Sequence, residues 1–90
     1  MDVVSINMIV NVGIVEDDSS IRESVASLIN TTAGFTCTQI FDSVESAIEK
    51  ISDSYPDVLL MDINLDGMSG IEGVRRLKSI FPDMHILMLT

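Results

Sequence analysis

The chain of 90 residues is 47% hydrophobic and carries a net charge of −9, from 14 acidic and 5 basic side chains. Its length predicts a single small domain with a modest core. The acidic balance disfavours nucleic acid and anionic membranes as direct partners, and it favours divalent cations and basic protein surfaces. The single cysteine, Cys37, excludes an intramolecular disulfide. The sequence contains no stretch with the length of a membrane span or the features of a signal peptide, so we expect a cytoplasmic protein.

The first two predicted elements are a strand and a helix. Residues 8–15 are rich in β-branched side chains and almost wholly apolar, which favours a strand buried on both faces. An amphipathic helix follows, in which Ser20 and Glu23 form a capping box and Gly34 supplies a stop signal. The side chains expected on its inner face are Ile21, Val25, Leu28 and Ile29.

Strands and helices alternate through the rest of the chain. The remaining predicted elements are a strand at 35–41, a helix at 42–54, a strand at 58–61, a loop at 62–70, a helix at 70–81 and a strand at 85–90. Ser43 or Asp42 caps the second helix. The expected inner faces are Val44, Ala47, Ile48 and Ile51 on the second helix, and Ile71, Val74, Leu77 and Ile80 on the third.

The order βαβαβαβ predicts an α/β fold, with a parallel sheet and helices over its faces. Ligand sites in such sheets lie at the carboxyl ends of the strands. Two acidic clusters occupy such ends, VEDD at 15–18 and MDINLD at 61–66. If the second strand lies on the outer side of the first, Glu16, Asp17 and Asp62 converge in one pocket.

Carboxylates held this close repel one another unless a cation lies among them, and hard oxygen ligands suit Mg²⁺. Asp62 ends a buried strand, where an uncompensated carboxylate is costly, so the sequence favours a functional role for it. The role is either that of a metal ligand or that of a nucleophile toward a phosphoryl group. Asp18 is either a helix cap or a metal ligand, whereas Asp66 before Gly67 is assigned to a turn.

A calcium loop is the main rival for the second acidic cluster. Residues 62–67 match the first half of an EF-hand loop. The match fails at its last position, Gly73, where a bidentate glutamate is required, and the preceding segment predicts a strand rather than a helix. We therefore do not expect calcium binding of this type.

Three segments of the sequence resemble the receiver domain of bacterial two-component response regulators. They are IVEDDSSIR at 14–22, PDVLLMDINLDGMSGIEGVRRLK at 56–78 and HILMLT at 85–90, in the order and at the spacing of that family. Together they span the chain from residue 14 to residue 90. The resemblance implies a flavodoxin-like, doubly wound parallel sheet in three layers, with strand order 2-1-3-4.

The resemblance also implies roles for individual residues. Asp62 matches the phosphate-accepting aspartate, and Asp17 matches the carboxylate that binds Mg²⁺ directly. Glu16 matches its acidic neighbour, which often acts through water, and Asn64 matches the position whose backbone carbonyl completes the metal site. Thr90 matches the switch hydroxyl that turns toward the phosphoryl group. The partner implied is a sensor histidine kinase, and the domain is a signalling module rather than an enzyme.

The chain departs from the family pattern at one loop residue and at its end. Asp66 stands where the family usually has proline. Receivers continue beyond the fourth strand with a helix, a strand and a helix, and they carry a lysine that neither Lys50 nor Lys78 matches. We therefore expect residues 1–90 to be a C-terminally incomplete receiver domain. Its apolar fourth strand would be an exposed edge, through which a homodimer could form.

Three functions are consistent with this sequence. The first is phosphorelay signalling through Asp62, which by analogy would regulate transcription in a full-length protein. The second is a degenerate or truncated receiver that acts as a non-phosphorylated interaction module. The third is a Mg²⁺-dependent phosphatase with Asp62 as nucleophile, but such enzymes usually carry a second aspartate where this chain has Asn64.

Overall fold

Seven secondary-structure elements alternate along the chain in a computed structural model that describes residues 8–51, 54–65 and 67–89. They are β1 (Val10–Val15), α1 (Ser19–Asn30), β2 (Phe35–Phe41), α2 (Val44–Lys50), β3 (Val58–Asp62), α3 (Gly70–Ile80) and β4 (His85–Leu89). The four strands form one parallel sheet in the order β2-β1-β3-β4. This confirms the predicted α/β fold and the strand order 2-1-3-4. Within the described ranges, no helix combines the length and the apolar character needed to cross a membrane.

The direction of the chain across the sheet decides which face each helix covers. The connection from β1 to β2 runs to one side, whereas those from β2 to β3 and from β3 to β4 run to the other. Because parallel crossovers are right-handed, α1 lies on one face and the helices α2 and α3 share the opposite face. The main core lies under α2 and α3, and its fully buried members are Val15, Val44, Ala47, Leu59, Met61, Leu77 and Met84.

The strand β3 is longer than the sequence predicts, and the difference concerns the candidate site. The predicted strand ends at Met61, but the pairing with β4 continues through Asp62, which lies opposite Leu89. The backbone then extends this ladder by one bond, from the amide of Ile63 to the carbonyl of Leu89 at 3.1 Å. The backbone of Asp62 is therefore fixed by the sheet rather than by the loop.

The buried face of α3 agrees with the prediction at Leu77 and differs from it at Ile71 and Ile80. Gly70, Gly73 and Leu77 are buried, whereas Ile71 is 65% exposed and Ile80 is also exposed. A Cβ atom on Gly70 would lie 2.8 Å from the carbonyl oxygen of Asp62, and one on Gly73 would lie 2.8 Å from a methyl of Val44. The two glycines let α3 approach β3 and α2 closely, so this face turns inward in place of the isoleucines.

The face of the sheet that carries α1 is only partly covered. The helix α1 packs on β1 and β2, and Ala26 is its buried residue. Leu28, predicted to face inward, is 67% exposed, and Ile21 is also exposed. The prediction for these two side chains was wrong because α1 buries Ala26, rather than Ile21 or Leu28, against the sheet. This one helix covers only the nearer half of the face. On the far half, Leu87 and Leu89 of β4 are exposed as well.

The N-terminal cap of α1 also differs from the prediction. Asp18 is the cap, and its Oδ1 accepts a hydrogen bond from the amide of Ile21 at 3.0 Å. The predicted box of Ser20 and Glu23 is wrong, since Ser20 lies inside the first turn. The predicted stop at Gly34 is wrong as well, because the helix ends at Asn30. The predicted Ser43 cap of α2 is confirmed.

These two caps can be told apart by unfolding experiments. We expect Asp18→Ala to lower the free energy of unfolding by about 1 kcal/mol, because the amide of Ile21 loses its acceptor. Ser20→Ala should leave it unchanged, since alanine suits the interior of a helix. Urea unfolding followed by circular dichroism measures both. If Ser20→Ala lowered the free energy of unfolding more than Asp18→Ala does, Ser20 would be the cap of α1, as the sequence predicts.

Candidate functional site

The first acidic cluster is held in place at the carboxyl end of β1. The amide of Glu16 donates to the carbonyl of Phe41 at 3.1 Å, which extends the pairing of β1 with β2 by one residue. The guanidinium of Arg22 donates to the carbonyl of Glu16 at 2.8 Å. The Glu16 side chain is only 6% exposed, whereas that of Asp17 is exposed. The turn from β1 into α1 therefore presents one buried and one exposed carboxylate.

The second acidic element is Asp62, at the carboxyl end of β3. Its side chain is half-buried, and its Oδ1 accepts a hydrogen bond from the amide of Asn64 at 2.9 Å. Strands β1 and β3 are neighbours in parallel register, with Val15 opposite Met61. The residues that follow this pair, Glu16 and Asp62, therefore emerge at the same edge of the sheet.

The three carboxylates predicted to converge do so. Glu16, Asp17 and Asp62 each offer an oxygen atom, and these atoms lie within 4.8 Å of one another. Burial raises the pKa of the Glu16 carboxyl, and the neighbouring carboxylates of Asp62 and Asp17 raise it further, while the hydrogen bond from the Asp18 amide opposes the shift. A cation among these oxygens would offset the repulsion. The donor set consists of hard carboxylate oxygens, which suits Mg²⁺ or Ca²⁺ rather than a softer metal ion.

The outcome is different for each of the remaining residues considered for the site. Asn64 is exposed and lies next to the cluster through the bond from its amide to Asp62; the role of its carbonyl stays a prediction. Asp18 does not belong to the cluster and serves as the cap of α1. Thr90, the predicted switch residue, lies outside the described residues. Lys78 donates to the carbonyls of Pro82 and Met84 at 2.8 and 2.9 Å, which places it at the opposite end of β4.

Two residues that support the site were not found from the sequence. Arg22 holds the backbone at Glu16, as described above, and Glu45 of α2 accepts a hydrogen bond from the amide of Met68 at 2.7 Å. Met68 belongs to the loop that follows Asp62. Contacts of this kind join different elements, so they leave no periodic signal in the sequence.

Comparisons with known proteins agree on one family. The chain matches the sequence model of the response regulator receiver domain over residues 12–90. It is 36% identical over 83 residues to response regulator MprA of Mycobacterium ulcerans (strain Agy99), a match that covers 92% of this chain and 35% of that protein. It is 31% identical over 83 residues to response regulator protein VraR of Staphylococcus saprophyticus, covering 92% of this chain and 40% of that protein.

A solved structure shares the same fold. The two-component response regulator of the LuxR family from Aurantimonas sp. SI85-9A1 aligns with a TM-score of 0.82 and 25% identity, over 89% of this chain and 57% of that one. The chain thus spans well under half of the length of the two curated relatives, 35% and 40%. The family match begins at residue 12, within β1, and it extends over the other three strands and all three helices. This chain belongs to the response regulator receiver domain family.

Proposed function

We propose that this chain acts in phosphorelay signalling, as the module in which Asp62 accepts a phosphoryl group from the phosphohistidine of a sensor histidine kinase. The observation that carries the proposal is the convergence of Glu16, Asp17 and Asp62 within 4.8 Å at the ends of β1 and β3. Membership of the receiver family supports the same role. A chain of this kind signals by being modified and is not a classical enzyme.

The chemical step assigned to Asp62 is a nucleophilic attack. A carboxylate oxygen of Asp62 attacks the phosphorus in line with the bond to the histidine nitrogen. That bond breaks, the imidazole leaves with the electron pair, and Asp62 becomes an acyl phosphate. The amide of Asn64 fixes the orientation of the carboxylate through Oδ1 before the attack.

The ligands proposed for a Mg²⁺ ion are the oxygens of this pocket. Asp17 and Asp62 would bind it directly, Glu16 through water, and Asn64 through its backbone carbonyl. Bound there, Mg²⁺ would neutralise negative charge on the transferred phosphoryl group. We propose that the hydroxyl of Thr90 turns toward the phosphoryl group on Asp62. This movement would shift the conformational equilibrium of the domain toward the state that presents its active surface.

We place this function in the cytoplasm, in a protein longer than this segment of sequence. Several curated relatives carry names such as transcriptional regulatory protein DegU of Brevibacillus brevis, of which this chain covers 34%. We infer that phosphorylation of Asp62 regulates transcription through a part of the protein that lies outside this segment of sequence.

A second candidate function is that of an interaction module that takes up no phosphoryl group. It is favoured by the apolar side chains that β4 and α1 leave exposed, which include Leu87, Leu89 and Leu28. Such a surface at the edge of a sheet suits protein contacts, a homodimer through β4 among them. The two candidates differ in whether Asp62 is modified.

The test is the intact mass of the chain after incubation with a small phosphodonor and Mg²⁺. We expect one phosphoryl adduct that requires both reagents and that a chelator of Mg²⁺ prevents. Circular dichroism on the same sample establishes that the chain is folded. A folded chain that forms no adduct with any phosphodonor would overturn the proposal, and the interaction module would then be the better description.

A further inference from the structure

Glu45 on α2 contacts the loop that follows the phosphoacceptor strand. It is the second residue of α2, and its Oε1 accepts a hydrogen bond of 2.7 Å from the backbone amide of Met68. The two residues are 23 positions apart in the sequence. A hydrogen bond to an ionised carboxylate is stronger than one between neutral groups. This contact therefore ties the first turn of α2 to the loop between β3 and α3.

The backbone of the loop lies close to this carboxylate at Gly67 as well. Gly67 has a φ of +79°, a conformation that glycine adopts without strain. A Cβ atom on Gly67 would lie 3.2 Å from Oε2 and 3.3 Å from Oε1 of Glu45. The carboxylate therefore lies against two consecutive residues of the loop, and a side chain at position 67 would be crowded by it.

The same loop is anchored at both of its ends. At its start, the amide of Asn64 donates to Oδ1 of Asp62. At its end, Ser69 caps α3 by accepting from the amide of Glu72 at 3.2 Å. Gly70 then lies so close to β3 that a Cβ atom would be 2.8 Å from the carbonyl oxygen of Asp62. Glu45, which lies on α2, adds a third contact between these two ends, through the hydrogen bond from the amide of Met68.

We propose that Glu45 is a positioning residue for the site at Asp62. Its carboxylate holds the loop at Gly67 and Met68, and this loop also carries Asn64, the proposed carbonyl ligand of the metal ion. The inference rests on the proposed function. Glu45 does not belong to the cluster of Glu16, Asp17 and Asp62, and it acts through the backbone of Met68.

The decisive variant is Glu45→Ala, compared with Glu45→Gln and with Glu72→Ala. Glutamine keeps an acceptor oxygen for the Met68 amide and loses only the charge. Glu72 is a matched control, because it is also an acidic residue in the first turn of a helix and pairs with Arg75 and Arg76 of its own helix. Both alanine variants remove one negative charge and one first-turn carboxylate.

Two readouts are measured on each variant. The first is hydrogen exchange of the Met68 amide in the metal-free chain, which reports the contact directly. We expect Glu45→Ala to speed this exchange roughly tenfold, in keeping with the loss of one charge-assisted hydrogen bond. The second is the rate of phosphorylation of Asp62 as a function of Mg²⁺ concentration. Glu45→Ala should raise the half-saturating Mg²⁺ concentration several-fold and leave the rate at saturation near that of the wild type.

The outcomes separate positioning from general stability. Glu45→Gln should recover most of both effects, and Glu72→Ala should produce neither, at comparable urea midpoints. Unchanged Met68 exchange in Glu45→Ala would overturn the inference, as would equal shifts in the Mg²⁺ dependence for Glu45→Ala and Glu72→Ala. A folded wild-type chain that takes up no phosphoryl group would instead overturn the proposed function, and the role of Glu45 with it.

Discussion

An Asp62→Asn variant is expected to fold and to form no phosphoryl adduct under conditions that label the wild-type chain. The amide oxygen of asparagine can still accept the hydrogen bond from Asn64, so the local structure has no reason to change. The nucleophile is lost, however, because a neutral amide oxygen does not attack phosphorus as a carboxylate does. The substitution also removes one negative charge from the crowded cluster, so the metal-free chain should not be destabilised.

The matched control for this variant is Asp18→Asn. Asp18 lies beside the cluster but outside it, and it caps α1. Asparagine caps helices as well as aspartate does, so Asp18→Asn removes one charge near the site and leaves the helix intact. Intact mass spectrometry should find the adduct in Asp18→Asn and not in Asp62→Asn. An adduct of wild-type yield on Asp62→Asn would mean that another residue accepts the phosphoryl group, and peptide mapping would identify it.

The second large effect is expected for Leu59→Ala. Leu59 is the second residue of β3, is 0% exposed and belongs to the core under α2 and α3. Replacing a buried leucine by alanine removes transfer free energy and leaves a cavity, which costs about 2–5 kcal/mol. Domains of this size have a total free energy of unfolding of about 5–15 kcal/mol. We therefore expect a large fall in the urea midpoint, or a chain that is partly unfolded in buffer.

Leu87→Ala is the control for this prediction, because it makes the same chemical change on the neighbouring strand. Leu87 belongs to β4, where it lies opposite Leu60 of β3, and it is 56% exposed. Its replacement should change the free energy of unfolding by about 0.5 kcal/mol or less. If Leu87→Ala proves as costly as Leu59→Ala, this face is buried in solution. Sedimentation at several protein concentrations would then show whether a second copy of the chain covers it.

The order of the elements and the convergence of the acidic residues were both predictable from the sequence. Continuous apolar runs separated by amphipathic segments indicate a parallel sheet, because such runs are typical of strands in sheets that carry helices on both faces. Once β1 and β3 are neighbours, Glu16 and Asp62 must meet, since parallel strands end at the same edge. The part of the site that depends on topology alone was therefore predicted correctly.

The helix faces were predicted less well, for reasons of packing. The periodicity of α3 favoured Ile71 and Ile80 as buried residues, but the buried face contains Gly70 and Gly73. Glycine contributes little to a hydrophobic pattern, yet it permits the closest approach of two backbones. The pattern of α1 likewise indicates an apolar face, but it does not indicate how much of that face other elements cover.

The sequence by itself determined the α/β class, the alternation of elements and the carboxylates that end β1 and β3, because these depend on local periodicity and on which residues end each strand. Only the tertiary structure decided that Asp18 rather than Ser20 caps α1, that glycines face inward on α3, and that Glu45 holds the loop at Met68. The cap depends on where the first turn of α1 begins, whereas the other two features depend on distances between elements far apart in the chain. Such distances are set by side-chain packing, which leaves no periodic signal in the sequence.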